Sequence, residues 1–403
     1  MKTHYSIKSI FIILGLSLIL PFQKMQGQDI DMSSFQIARE AFGDNQNYLG
    51  AIKALNELEE KYSSPDQSRG FYLQASLTYN AFLLNNPNTL QLIKSYADLM
   101  APKLPELPTF EYEGEEVFKQ IIERAANNQV IMINELHWFS RERYLTHSML
   151  KDLYNQGFRY LGMEAISEKA DSLMERGYPI ASSGLYTLDP QMSNMIRTAI
   201  QLGYHVFGYD VYGKEREMLQ AQNIYDQTMK KDPEAKILIH SGGEHSSKCS
   251  ERKKMGYYFE ELSGITPYII RQSNQLQIGK YDYSGLAIPE YKPDCRADLV
   301  VINGIPETDF KINPYAMYSS TTDIKRLANH LTDIEKQEGN LLSFYIAEEF
   351  NRYSLKAIPI SNYLINKDLD EKTIDLPNGK YILIIRDANG ETIEKKELAI
   401  SAI

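Results

Sequence analysis

The chain has 403 residues, 43% of them hydrophobic and 24% charged, with a formal net charge of −10. That is enough apolar material for one large domain with appendages or two modest ones, and it excludes a disordered or fibrous protein. The acidic balance argues against nucleic acid or an anionic membrane as the partner, and two cysteines are too few for a disulfide scaffold.

Lys2 and Lys8 precede an apolar run from Ile10 to Leu20, which ends at Pro21 and gives way to small and polar residues around Gly27 and Gln28. The run is too short to span a bilayer comfortably and no second one follows. Residues 1–28 therefore read as a cleaved signal peptide, with the product secreted or periplasmic and without stable membrane insertion; an uncleaved anchor is the alternative. Cleavage removes Lys2, Lys8 and Lys24 and takes the net charge from −10 to −13. In an exported protein Cys249 and Cys295 could form a single disulfide, and their spacing matches no zinc motif. Residues 29–107 read as a helical region, with helices near 34–42, 47–62, 66–84 and 87–100 separated by the turn signals SSPDQ and NNPN. The proline-rich APKLPELPTFEYEG reads as an extended linker.

From 108 to 310 the pattern becomes a regular alternation of helix and strand. Val130 to Ile133 is a short β-branched run that breaks into Asn134, Glu135 and His137. Ser140 can cap a helix with the apolar stripe Leu145, Met149, Leu150, Leu153 and Tyr154, closed by Gly157 in a left-handed turn. Phe158 to Met163 is the next strand and ends in Glu164. Asp189 and Pro190 open a helix that stops at Gly203, followed by the strand Tyr204 to Tyr209 and then Asp210. A helix over 214–230 leads to the strand Lys236–Ile239 and His240. A helix near 251–262 and strands at 268–270 and 298–302 complete the series. This order predicts an α/β fold: a largely parallel sheet flanked by helices, with an N-terminal helical region and a small C-terminal β region. In residues 311–403 we expect helices over 322–338 and 341–352. A β-hairpin should follow, with strands 380–386 and 392–400 joined at Asn389-Gly390 and with 358–360 and 372–376 as partner strands.

Parallel strands bring their carboxyl ends to one rim, where ligands of open α/β sheets bind. Glu135, His137, Glu164, Asp210, His240, Glu244, His245 and Arg271 all fall there. Glu135 and His137 are two apart and share a side of an extended chain, and the glycines of Gly242-Gly243-Glu244-His245 allow a tight turn. Histidines and carboxylates from separate strand ends could hold a divalent metal and a water, with His137, His245 and Glu135 as ligands, or work without metal as a base and its acid partners. Taken singly, each has an ordinary structural explanation; their joint occurrence at several strand ends singles out the site. Arg141 and Arg143, in the first helical turn after the loop, suit a substrate carboxylate or phosphate, or else a solvated helix face. Asp210 and His240 should border the pocket. Ser241 and Ser246 flank the glycines without the surroundings of a nucleophile elbow.

These motifs resemble the erythromycin esterase-like, ChaN-like and TIKI-type superfamily. Its members share a strand ending G-E-x-H, a later strand ending in Glu and a second G-x-x-H. Here these stand as Asn134-Glu135-Leu136-His137, Glu164 in LGMEA, and Gly242-Gly243-Glu244-His245, within about residues 115–305. Asn134 takes the place of the usual glycine. The resemblance implies an α/β core with Glu135, His137, Glu164 and His245 as site residues, in a family where some members hydrolyse esters or peptide bonds and others bind haem. The expectation is an exported hydrolase-like protein acting on a small-molecule or peptide substrate, with haem or another cofactor as the alternative ligand.

Overall fold

The computed structural model describes residues 33–64, 67–83, 86–100, 108–273, 285–304, 321–322, 331–366 and 376–400. The expected signal peptide lies outside them, as does the first half of the expected linker, whose second half includes a strand, Phe110–Glu113. Among the described residues no helix is long and apolar enough to cross a membrane.

Four helices come first: α1 (Ser33–Phe42), α2 (Tyr48–Asn56), α3 (Gln67–Ala81) and α4 (Asn88–Met100). The α/β series then runs β1 (Phe110–Glu113), α5 (Glu115–Ala125), β2 (Val130–Glu135), α6 (Ser140–Asn155), β3 (Phe158–Met163), α7 (Ala170–Arg176), α8 (Pro190–Leu202) and β4 (His205–Gly208). It continues with α9 (Arg216–Gln227), β5 (Lys236–Gly242), α10 (Met255–Ser263), β6 (Tyr268–Ser273), β7 (Leu286–Pro289) and β8 (Leu299–Asn303). The sheet order is β1-β7-β8-β6-β2-β5-β3-β4. Strands β8 to β4 of that order are parallel, and β7 and β1 close one edge antiparallel.

Alternate residues of each strand face opposite layers. Ile131, Ile133, Leu161, Leu238 and Ile270 pack with Leu145, Met149 and Met195 of α6 and α8, whereas Met132, Phe207, Ile237 and Ile239 pack with Ile224 and Phe259 of α9 and α10. The central strands are covered on both sides, which is why they read as continuous apolar runs. Helix α6 stops at Gly157 (φ 94°) as expected. Ser140 is its first residue rather than its cap: its hydroxyl lies 3.0 Å from the Ala81 carbonyl oxygen and 2.8 Å from Asp189 Oδ2, with one proton to share between them. Asp189 does cap α8, accepting from the Gln191 amide at 2.9 Å.

Trp138 and Phe139, next to His137 in the loop after β2, are buried among Tyr62, Tyr72, Leu77 and Tyr96. The N-terminal helices thereby cover the loop and the start of α6, whose first residues, Ser140 to His147, are all buried.

In the C-terminal part, β9 (Thr321–Thr322) pairs with β12 (Leu376–Pro377), and β10 (Leu341–Ile346), β11 (Ser361–Leu364), β13 (Gly379–Arg386) and β14 (Thr392–Ile400) form an antiparallel sheet in the order β11-β10-β13-β14. The β13–β14 hairpin matches expectation. The helix expected over 341–352 does not form as such: Leu341 to Ile346 is a strand, and only Ala347 to Tyr353 is helical. LLSFYI is a short apolar run whose period does not separate helix from strand, and pairing with β11 and β13 on both sides decides it. The hairpin's partner is therefore β10, with β11 beyond it, rather than the expected 358–360; the expected 372–376 falls largely outside the described residues. The helix expected over 322–338 lies partly outside them, and its described residues 331–338 form turns and bends rather than a helix. This sheet is tied to α8 by Arg197, which forks onto Glu349 at 2.9 and 2.6 Å. Cys249 and Cys295 are disulfide-bonded across 46 residues, pinning the loop after β5 to the approach to β8.

Candidate active site

Glu135 ends β2 and pairs in register with Gly242 at the end of β5, and Glu164 directly follows β3 on the other side of β5. One rim thus holds three of the expected strand ends, as parallel topology requires.

Glu135 is fully buried and both its oxygens are engaged. Oε1 lies 2.7 Å from Nδ1 of His137, while Oε2 accepts from Nε of Arg143 at 2.8 Å and lies 2.9 Å from Nε2 of His240. Burial opposes the charge, but Arg143, His240 and His137 together outweigh it and hold the carboxyl well below the usual carboxylate range. An ionised Glu135 keeps the proton of His137 on Nδ1, so Nε2 carries the lone pair. That atom is 3.9 Å from Oε1 of Glu164.

Glu164 is the centre of the arrangement. Its Oε1 also lies 3.6 Å from Nε2 of His245 and accepts from Nη2 of Arg216 at 2.6 Å; Oε2 accepts from the Gly242 amide at 2.5 Å. Burial raises its pKa, yet His245, His137 and Arg216 bring it down to about 2. His245 is backed as His137 is: its Nδ1 lies 2.9 Å from each oxygen of Glu217, which Lys254 and the Met255 amide hold in turn. Two glutamate-backed imidazoles therefore both lie within 3.9 Å of one carboxylate oxygen. Glu135, His137, Glu164 and His245 come together across the fold.

The glycine turn makes this possible. Gly243 has φ 48°, a left-handed conformation suited to glycine, and donates to the Glu135 carbonyl at 2.8 Å. A Cβ on Gly242 would stand 2.4 Å from His137 Nε2 and 3.0 Å from Glu164 Oε2. Gly242→Ala is therefore expected to displace the His137 ring and lower activity at least about tenfold, since a misplacement of about 1 Å costs up to about 10²-fold. Turnover assays on the variant, alongside its circular dichroism spectrum, check this.

Other expected residues have different places. Arg143, read as a surface group for a substrate anion, is fully buried: its guanidinium contacts Glu135, Asp189 and the His137 carbonyl, so it fixes the site from behind. Arg141 is also buried, its guanidinium over the Phe139 ring. Both are covered because the N-terminal helices and α8 close over α6, which the sequence of α6 does not encode. His240 spends its other nitrogen on Thr146 and supports Glu135. Asp210 accepts from Arg216 and Gln220, anchoring α9. Glu244 is on the rim, between Arg271 at 3.6 Å and Arg252 at 3.5 Å.

Three contributors escaped the sequence reading. Arg216 and Glu217 occupy the first turn of α9, and the signal for them was that this helix starts from the same rim. Tyr186 is stacked on His137, with ring centroids 4.1 Å apart and planes 14° apart; it comes from a loop with no local mark.

The metal set expected from His137, His245 and Glu135 does not fit a divalent ion. Arg216 stands where a bridging cation would, with Nη2 on Glu164 and Nη1 3.1 Å from His245 Nε2. Both oxygens of Glu135 are engaged as well. Among the described residues the one close set of three ligand atoms is Cys249, Glu251 and Cys295, whose sulfurs are bonded to each other.

The fold and the site define an α/β protein with a histidine–glutamate cluster at the carboxyl rim of a mostly parallel sheet. No family model and no curated protein matches the chain. Two solved structures are similar to part of it. The type III effector HopBA1 has 15% identity and a TM-score of 0.33, over 51% of this chain and 99% of its own. ChaN of Campylobacter jejuni, described with cofacial haem binding, has 11% identity and a TM-score of 0.27, over 46% of this chain and 91% of its own. Likenesses at this level carry no argument about the site.

Proposed function

We propose that the chain is an exported hydrolase of ester or peptide bonds that works by metal-independent acid–base chemistry. The observation that carries this reading is Nε2 of His137, an imidazole lone pair whose opposite nitrogen is fixed by a buried, ionised glutamate. A base held in one tautomer by a carboxylate is what proton abstraction from water requires. In the reaction, Nε2 takes a proton from water, the hydroxide oxygen attacks the carbonyl carbon, and the carbonyl electrons move onto oxygen. Collapse of that adduct expels the alkoxide or amine, which takes up a proton. Glu135 stabilises the imidazolium without accepting the proton.

His245 supplies the proton to the leaving group. Burial opposes its charge, but Glu164 and Glu217 outweigh it, so it titrates above the ordinary histidine range. As it stands, Arg216 donates to its Nε2; protonation there exchanges that contact for Glu164. The acid form is present below the raised pKa and lost as pH rises through it. The alkaline limb of kcat/KM is accordingly expected above the free-histidine value, and His245→Gln should remove it.

The test is turnover of p-nitrophenyl esters and short peptides by purified protein with and without a chelator. Chelator-insensitive turnover that depends on His137 is the expected result. Absence of turnover, together with a Soret band on haem titration, would favour the cofactor-binding alternative.

A further inference from the structure

The cluster described so far holds a base, its carboxylate and an acid, but no group yet assigned to the oxygen on which negative charge develops. Arg143 and Arg216 are both spent on carboxylates. Tyr186, beside the proposed base, is a candidate for that need. Its ring lies on the face of His137, nearly parallel, and the Arg143 guanidinium is 5.9 Å from the ring centre.

The loop that carries it is fixed at both ends. Gly184 lies so close to the Ala165 carbonyl that a Cβ there would be 2.0 Å from it, which locks the loop against the segment after Glu164. Three residues after Tyr186, Asp189 caps α8 and binds Arg143 and Ser140. Among the described residues the Tyr186 hydroxyl has no hydrogen-bond partner, although every carboxylate around it is engaged. Burial, Glu164 and Glu135 raise its pKa, so the phenol keeps its proton and has an O–H to donate.

We infer that Tyr186 is a catalytic hydrogen-bond donor whose phenol O–H binds the oxyanion formed when water adds to an acyl substrate at His137. The inference rests on the hydrolase reading and names its acceptor. In the addition step the water proton goes to His137 Nε2, the carbon–oxygen bond forms, and the carbonyl π pair becomes the oxyanion. Tyr186 donates a hydrogen bond to it and transfers no proton. A donor aimed at developing charge acts on the transition state more than on the bound substrate.

The test is Tyr186→Phe, which keeps the ring on His137 and removes a hydroxyl that no group among the described residues uses, so the melting temperature should stay as in the wild type. Removing one such donor typically lowers kcat about 10²–10³-fold, and KM should change little. In parallel, an alkylphosphonate monoester, an inert mimic of the tetrahedral anion, is titrated calorimetrically into the wild type, Tyr186→Phe and His137→Gln. The expected result is at least tenfold weaker binding to Tyr186→Phe. Equal binding to wild type and Tyr186→Phe, or binding to neither, overturns the inference. Turnover that is lost in His137→Gln but kept in Tyr186→Phe overturns it and leaves the hydrolase reading standing. Phosphonate binding that needs Tyr186 in a wild type without turnover would leave Tyr186 as an anion-binding donor only and overturn both its catalytic role and the hydrolase reading.

Discussion

His137→Gln is expected to lower kcat/KM on any ester or peptide the protein hydrolyses by about 10²–10⁴, the range a positioned general base contributes. The fold should survive. Glu135 keeps Arg143 and His240 as partners, so the variant loses one hydrogen bond, to a charged group, a cost of about 1.5–3 kcal/mol. Steady-state kinetics beside a urea unfolding curve separate the two effects. Turnover within a few-fold of the wild type would mean that His137 is a structural partner of Glu135 and that the base lies elsewhere. His245→Gln then serves as the comparison, because it removes the second imidazole and leaves the first in place.

Arg143→Met should act in the opposite way, on the fold first. The guanidinium is the shared partner of two buried carboxylates, Glu135 and Asp189, and its removal leaves both without their main countercharge. Breaking a buried pair in this way costs about 3–5 kcal/mol, and here one residue serves two pairs. The loss should depend on pH with a definite sign. Glu135 has a depressed pKa in the fold, so its contribution is present above the unfolded carboxylate pKa and is lost as pH falls through the folded one. The gap in stability between wild type and variant should therefore be widest at neutral pH and narrow on acidification. Chemical denaturation at several pH values measures it. A variant as stable as the wild type at neutral pH would show that the two carboxylates find other compensation.

Much of this site was legible in the sequence because its main residues sit at strand ends. A β-branched run that breaks into Asn134-Glu135-Leu136-His137, a helix closed by Gly157 and a second strand ending before Glu164 specify two parallel strands, and parallel strands of one sheet share a carboxyl rim. The two-residue spacing of Glu135 and His137 predicted a common side, and their side chains do meet. Gly242-Gly243 predicted a tight turn, and the turn brings the Gly242 amide onto Glu164. The Asn389-Gly390 hairpin was legible for a similar reason, since turn chemistry and strand alternation are local.

Local signals failed where burial or pairing partners come from elsewhere. Arg143 has the sequence surroundings of an exposed first helical turn, but α8 and the N-terminal helices close over it and turn it into a buried ion-pair centre. LLSFYI is compatible with helix and strand until β11 and β13 flank it. Tyr186 precedes an ordinary helix cap, and its ring reaches His137 only because that loop folds back against Ala165.

The sequence by itself determined which strands end in histidine and carboxylate residues and that those ends share one edge, because side-chain alternation, turn residues and crossover handedness are properties of short segments. Tertiary structure alone decided which charges neutralise one another. Arg216 from α9 fills the space between Glu164 and His245, and Glu217 backs the second imidazole. Coulomb energy falls with distance and rises steeply as water is excluded, so the roles of these groups follow from separations set by packing between elements and not from their positions along the chain.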